Sequence, residues 1–360
     1  MNDWRKSAFA WLAQEWLLAS ATLGLALSSM LLKRLPRFSG DELEVVFLLW
    51  LFFVVVKGLD KSGLLVWVSR HLERGGWLSL KLIVITYFLA ALVTNDVALV
   101  VVVPLTLAMN TNRKGVLVML EAFAANAGSM LTPFGNPQNL YLYWHFQVDP
   151  LTFVAAIAPL AAFYLALLAA TTFFIKAGPI TYSYRQAMEV KREALVYLGL
   201  LAALLLVVLR LLPFSFSYVV AAGVLLFGQR ALAVDYILLL TFLVFFGLVD
   251  NIKLALAPFI EHAGHVFLAA AFSSQIIGNV PAAILLAELT SNWRAVLWGV
   301  SVGGFGSPIA SFANLIAYRF FTSYQKDPEK RRLFTWRFLL CGYLLFAGGV
   351  GVYFVFRSLW

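Results

Sequence analysis

The chain is poor in charge, cysteine and histidine. Of its 360 residues only 12% are Asp, Glu, Lys or Arg, where a soluble domain carries about 25%. A charge content that low cannot clothe the surface of a water-soluble globule of this size. Cys341 is the single cysteine, so a disulfide scaffold is excluded. Four histidines with no ligand-like spacing leave no zinc motif. Glu261-His262 with His265 does not repeat the H-E-x-x-H order that places two histidines on one helical face. His71 and His145 stand at span ends, and no cofactor motif is present.

What is there is apolar. Hydrophobic residues make up 62% of the chain, and the mean hydropathy is +0.86. One core cannot hide that much surface, because a globule must still cover its outside; here the outside is lipid. Runs such as Val45 to Val56 and Ala194 to Leu209 are unbroken, whereas a barrel strand alternates. The fold class expected is an all-α polytopic membrane protein. The net charge of +9 would raise nucleic acid as a partner in a soluble protein. Here the excess Lys and Arg fall in short loops that orient spans. The partners expected are the lipid bilayer and a small ion, not nucleic acid. Residues 16–32 run into Lys33 and Arg34 without a small-residue cleavage site, and read as a first span rather than a cleaved signal.

Spans are expected at 16–32, 43–59, 116–145, 151–175, 194–212, 217–229, 233–249, 293–321 and 335–357. Two other apolar stretches, 77–112 and 265–291, carry polar tips at their centres, Thr94-Asn95-Asp96 and Gly278-Asn279-Val280-Pro281. An Asn-Asp pair in mid-bilayer is expensive. A re-entrant hairpin puts such a tip inside protein or against a watery cavity. Two spans are also interrupted. Thr132-Pro133-Phe134-Gly135-Asn136-Pro137-Gln138-Asn139 breaks 116–145, and Gly303 to Pro308, with Asn314 beyond, breaks 293–321. Proline removes an amide donor and stops a helix.

The interruptions repeat. Gly128 and Gly303, Pro133 and Pro308, and Asn139 and Asn314 are each 175 residues apart. Gly58-Leu59 before Asp60 matches Gly247-Leu248 before Asp250. Each half reads span, span ending in Gly-Leu, short interfacial helix, hairpin, broken span, closing span. The organisation expected is a cytoplasmic N-terminus over 1–15 and a first repeat over 16–175. A cytoplasmic linker over 176–193 then leads to a second repeat, with one extra span, over 194–360. Cationic loops at Arg113-Lys114, at Lys176 to Arg192 and at Arg319 to Arg337 belong in the cytoplasm. That choice inverts one half against the other and puts the protein in the cell membrane with its N-terminus inside. Lys33, Arg34 and Arg37 then fall outside, against the rule. Inverted repeats with discontinuous helices mark secondary transporters, with the site at the repeat interface.

These motifs resemble those of the ion transporter superfamily: arsenite permeases, one class of sodium/proton antiporters, citrate transporters and divalent-anion symporters. Thr94-Asn95-Asp96-Val97-Ala98 before Pro104-Leu105-Thr106 is similar to its first hairpin. Thr132 to Asn139, Gly278-Asn279-Val280-Pro281 and Ser307-Pro308 to Asn314 are similar to its other breaks. The resemblance covers nearly the whole chain and is nearest to the small anion permeases. It implies a homodimer built through the first two spans of each half. The sodium-coupled dicarboxylate branch has Ser-Asn-Thr at both tips. Here the third tip positions are Asp96 and Val280, so sodium coupling of that type is not implied.

The substrate- and ion-binding residues expected are Thr94, Asn95, Asp96, Thr132, Gly135, Asn136, Asn139, Gly278, Asn279, Ser307 and Asn314. A carboxyl in a partly dry cavity can hold a proton or a metal cation, which makes Asp96 the coupling candidate; its plainer reading is a helix N-cap. Glu121 is a second intramembrane carboxylate and a second coupling candidate. Amides both donate and accept, and helix N-termini attract anions. A small anion such as a dicarboxylate or inorganic oxyanion leads, with a proton as coupling ion and sodium as the alternative. Arsenite export or sodium/proton antiport is the runner-up, and a channel comes after it. Lys57 is expected to snorkel to the interface. Asp60, Asp250 and Glu288 are expected to be solvated. No intramembrane-protease setting occurs: Asp250 lacks a Gly-x-Gly-Asp context and Ser307 a Gly-x-Ser-Gly one, so an enzyme is not expected.

Overall fold

The computed structural model describes residues 16–65, 67, 77–109, 111–174, 190–227, 229–234, 236–260 and 265–357. The expected cytoplasmic N-terminus 1–15, most of the linker 176–193, and His71, Glu261 and His262 lie outside the described residues. The described chain is helical. In the first half α1 is Trp16–Leu32, α2 Gly40–Lys61, α3 Leu78–Leu92, α4 Asn95–Ala108, α5 Lys114–Ser129, α6 Pro137–His145 and α7 Pro150–Thr172. In the second half α8 is Glu193–Val208, α9 Phe216–Phe227, α10 Tyr236–Ile260, α11 Val266–Ile277, α12 Asn279–Ala287, α13 Trp293–Gly303, α14 Phe312–Tyr324 and α15 Pro328–Phe356. The protein is an all-α polytopic membrane protein. Among the described residues three helices, α7, α10 and α15, are by themselves long and apolar enough to cross a bilayer. Eight shorter ones form the pairs α3–α4, α5–α6, α11–α12 and α13–α14, each across a break.

Helix starts follow local chemistry. Ser39 and Glu42 form a reciprocal capping box at α2. Asp149 and Asp327 cap α7 and α15, each followed by Pro in the first turn. Each polar stretch that interrupts an apolar run ends one helix and starts the next: Val93-Thr94 between α3 and α4, residues 130–136 between α5 and α6, Gly278 between α11 and α12, and residues 304–311 between α13 and α14.

The packing is reciprocal. Within each half the first hairpin arm lies along the first piece of the broken span, α3 on α5 and α11 on α13. Between halves, α4 packs on α14 while α12 packs on α6, and α1 packs on α10 while α8 packs on α2. Close approach needs glycine at matched places. A Cβ on Gly128 would sit 1.9 Å from the Tyr87 carbonyl oxygen, and one on Gly303 would sit 2.5 Å from the Ser274 side chain.

Two expectations are corrected. The short interfacial helix of the second half is not separate, because α10 runs on through Asp250 to Ile260. The first half breaks after Lys61 at Ser62-Gly63, where Gly63 takes φ 81°; the second half has no such residue there. Asp250 is not solvated. It is buried, accepts from Arg34 and from the Arg37 backbone N–H at 2.9 Å, and lies 3.3 Å from Lys253 Nζ. Arg34, one of the cations that the charge rule does not accommodate, is thus compensated. Glu288 joins the same group, 2.9 Å from Lys253 and 3.6 Å from His145. Lys57 pairs with Asp60 at 3.3 Å.

Candidate functional site

The site is built where four chain breaks meet. At the first hairpin the chain turns through Thr94 with φ 149° and ψ 156°. At the second it turns through Gly278 with φ 86° and ψ 157°. Both lie in a region that glycine alone visits freely. The next residue then binds the neighbouring break. The Asn95 N–H donates to the Gly135 carbonyl at 3.1 Å, and the Asn279 N–H to the Ala310 carbonyl at 3.0 Å. Each tip is thereby fastened to the loop that precedes α6 or α14.

Each broken span is held by an asparagine from its second piece. Asn139 Nδ2 donates to the carbonyls of Ser129, Met130 and Thr132, at 3.3, 3.0 and 3.0 Å. Asn314 Nδ2 donates to those of Gly304 and Ser307, at 2.9 and 3.1 Å. These carbonyls end α5 and α13 without helical partners. Asn136 caps α6, accepting from the Asn139 N–H at 2.9 Å, and donates to Ser129 Oγ at 3.1 Å. Thr132 ties the first break to the hairpin arm through the Ala91 carbonyl at 2.7 Å. Gly135 leaves no room for a side chain, since a Cβ would lie 2.2 Å from the Ser129 oxygen.

At this cluster the halves are joined by Asn126, which the sequence reading passed over. It is buried in α5. Its Oδ1 accepts from Asn95 Nδ2 at 3.4 Å and from Ser311 Oγ at 2.9 Å. Its Nδ2 donates to Asn314 Oδ1 at 2.7 Å and to the Gly304 carbonyl at 3.2 Å. Asn279 flanks the same place, its Nδ2 3.1 Å from where a Cβ on Gly304 would stand. Gln275 was also missed; its amide donates to the Gly303 and Phe305 carbonyls at 2.7 and 2.9 Å. The available signal was the same for both: a side-chain amide inside an apolar helix, one turn from a break.

The structure therefore gathers Asn95, Asn279 and Asn314 around Asn126, and holds Asn136, Asn139, Thr132 and Gly135 in the adjoining break. Asp96 is not the N-cap. Thr94 occupies that position, with no side-chain capping bond, and Asp96 stands buried in the first turn of α4, where the helix dipole favours negative charge. The Asp96 N–H donates to Asn95 Oδ1 at 3.0 Å. Glu121 lies apart from the tips, buried in α5, and accepts from Thr106 of α4. Thr94 Oγ1, Asn139 Oδ1 and Ser307 Oγ are buried polar atoms of the site that make no hydrogen bond among the described residues. Arg210 donates to the Tyr143 and Val148 carbonyls at the end of α6.

Comparison with known proteins matches residues 9–303 to a family described as citrate transporters. The chain is 34% identical to an uncharacterized transporter of Methanocaldococcus jannaschii over 290 residues, which covers 77% of this chain and 81% of that protein. It is also 34% identical to the inner membrane protein YbiR of Escherichia coli, over 83% of each chain. A silicon efflux transporter of Oryza sativa is 32% identical over 34% of this chain and 27% of its own length.

Proposed function

This chain belongs to the citrate transporter family of membrane transporters, and on that premise we propose that it is a secondary active carrier of a small anion. The two halves form an inverted repeat with re-entrant hairpins, and alternating access moves their shared core against the remaining helices. The observation that carries this reading is the Asn126 bridge. One side chain holds the first tip and the second break to its own helix, and the tip-to-break bonds of Asn95 and Asn279 bring the starts of α6 and α12 beside those of α4 and α14. Helix N-termini present free N–H groups and a partial positive charge. Thr94 Oγ1 and Ser307 Oγ are buried hydroxyls without partners there, and an anion's oxygens would supply their acceptors. Gathered backbone donors and hydroxyls suit a dicarboxylate or an inorganic oxyanion.

Asp96 couples transport to protons. A carboxyl group beside an anion site is stabilised in its neutral form by burial and by the incoming negative charge. Proton and anion therefore bind in concert, and both are released where water reaches the site. The protein lies in the cell membrane with its N-terminus on the cytoplasmic side, and two copies associate through α1, α2 and their second-half counterparts. A second reading, cation/proton antiport, is favoured by two acceptors, the Asp96 carboxylate at the first tip and Asn139 Oδ1 in the adjoining break. The purified protein in proteoliposomes decides between them. Under an imposed pH gradient, saturable uptake of citrate, succinate, sulfate or phosphate supports the anion carrier. Sodium or lithium flux with no anion uptake overturns it. Flux that never saturates would instead indicate a channel.

A further inference from the structure

Two open cavities lined by described residues differ in electrical character. One, of about 400 Å³, is lined by Arg37, Lys253 and His145 but also by Asp41, Glu42, Asp250 and Glu288, so its cations are compensated. The other, of about 750 Å³, is lined by Arg113, Lys114, Lys330 and Arg337 with no carboxylate among its lining residues. Those four cations come from the α4–α5 turn, the start of α5 and the first turns of α15. The fold has therefore brought separate basic segments to one concavity. Topology signals alone require basic loops, but not their convergence on a hollow.

Two of the four are engaged. Lys114 Nζ donates to the Leu107 carbonyl at 2.7 Å and to Tyr324 Oη at 2.5 Å. Lys330 lies 3.7 Å from Asp327. Among the described residues Arg113 and Arg337 have no carboxylate within ion-pair distance. The floor is made by Met119, Phe321 and Phe334. Met119 lies on α5 and Phe321 on α14, each about two helical turns from Asn126 and Asn314 on the same helices. The two helices that bond to each other at the amide cluster thus open into this cavity.

We propose that the basic cavity is a vestibule that binds a free oxyanion carrying two or more negative charges before or after its passage through the amide cluster. The inference rests on the anion-carrier reading above and adds a second, outer binding site. A hollow lined by charge of one sign focuses its field, raising local anion concentration and encounter rate. Multivalent anions bridge several cations and are favoured over chloride. The headgroup of an anionic lipid carries the same phosphate chemistry.

The test uses the full chain and the triple variant Arg113→Gln/Lys330→Gln/Arg337→Gln, whose three sites are exposed and outside the amide cluster. Binding of citrate and inorganic phosphate is measured by equilibrium dialysis in neutral detergent, and uptake by proteoliposomes of zwitterionic lipid. The native protein is expected to bind citrate saturably. The triple variant is expected to bind it about tenfold or more weakly and to show a raised KM with kcat unchanged. Equal binding and equal KM in the two proteins overturn the vestibule while leaving the carrier reading intact. Binding that the triple variant loses, in a protein that transports no anion, keeps the cavity as an anion site and removes the carrier reading. Phosphatidylglycerol that displaces citrate from the native protein but not from the variant assigns the cavity to a headgroup and overturns the free-anion proposal.

Discussion

At the first hairpin tip the chain turns through Thr94 and enters α4 with Asn95 and Asp96; at the second it turns through Gly278 and enters α12 with Asn279 and Val280. The two turns share a backbone conformation and the same hydrogen bond to the neighbouring break. The asparagine and the turn therefore belong to the architecture of both halves. The first tip carries two additions: a β-branched residue where glycine would sit without strain, and a carboxyl group where the second has Val. Neither aids folding. Strain of the Thr94 kind costs about 1–3 kcal/mol, and a buried carboxyl needs compensation that Val does not. Features that oppose folding and persist on one side only point to work done on that side.

The sharpest way to break this contrast is to remove the charge. Asp96→Asn keeps size and hydrogen-bonding capacity, so the fold should survive with an unchanged unfolding midpoint. Transport driven by a pH gradient should fall about a hundredfold or more, within the range lost when an essential proton-transfer group is removed. Val280→Asp should not restore it. Retained pH-driven uptake in Asp96→Asn would remove proton coupling from the first tip.

A smaller effect is expected from the bridge. Asn126 and Ser301 are 175 residues apart and occupy matched places in α5 and α13. Asn126 makes four hydrogen bonds, whereas Ser301 Oγ is buried and makes none. In Asn126→Ala the Gly304 carbonyl keeps Asn314 Nδ2, and Ser311 can turn, but Asn314 Oδ1 is stranded. The cost should be about 2–3 kcal/mol, read as a lowered denaturation midpoint, while Ser301→Ala should change stability by under about 0.5 kcal/mol. Equal costs at the two sites would show that the join is not carried by Asn126.

The apolar helices and the breaks between them were legible because lipid imposes a composition and polar residues stand out against it. Thr94 to Asp96, residues 132–139 and Gly278-Asn279 each mark a break that the structure contains. Asn126 was not legible as a bridge. It sits in an uninterrupted helix, and its partners Ser311 and Asn314 lie far along the chain, so no local pattern announces them. The same holds for Asp250. Its position after Gly247-Leu248 suggested a span end by analogy with Asp60, but α10 continues and the carboxylate meets Arg34 from the other half. Pairings of this kind depend on how helices cross, which periodicity does not encode.

If the asparagines are shared architecture, Asn95→Ala and Asn279→Ala should weaken substrate binding alike, by about tenfold each, as expected for one lost hydrogen bond to a charged ligand. Apparent Kd from a ligand-induced shift in melting temperature measures this. A loss confined to Asn95→Ala would mean that the second tip serves the fold alone and that the shared site is smaller than its backbone symmetry implies.

The smallest effect separates strain from chemistry at Thr94. Thr94→Gly makes the first turn like the second. It should recover about 1–3 kcal/mol of backbone strain, less the 0.5–1 kcal/mol, roughly, that glycine's freedom in the unfolded chain costs and the loss of a buried methyl group. A slight net gain in stability is expected. Thr94→Ala removes the hydroxyl and keeps the strain, so it should gain nothing. If Thr94 Oγ1 holds the substrate, both variants should raise KM by the same few-fold factor despite their different stabilities. A KM that rises only in Thr94→Gly would show that the strained backbone, rather than the hydroxyl, shapes the site.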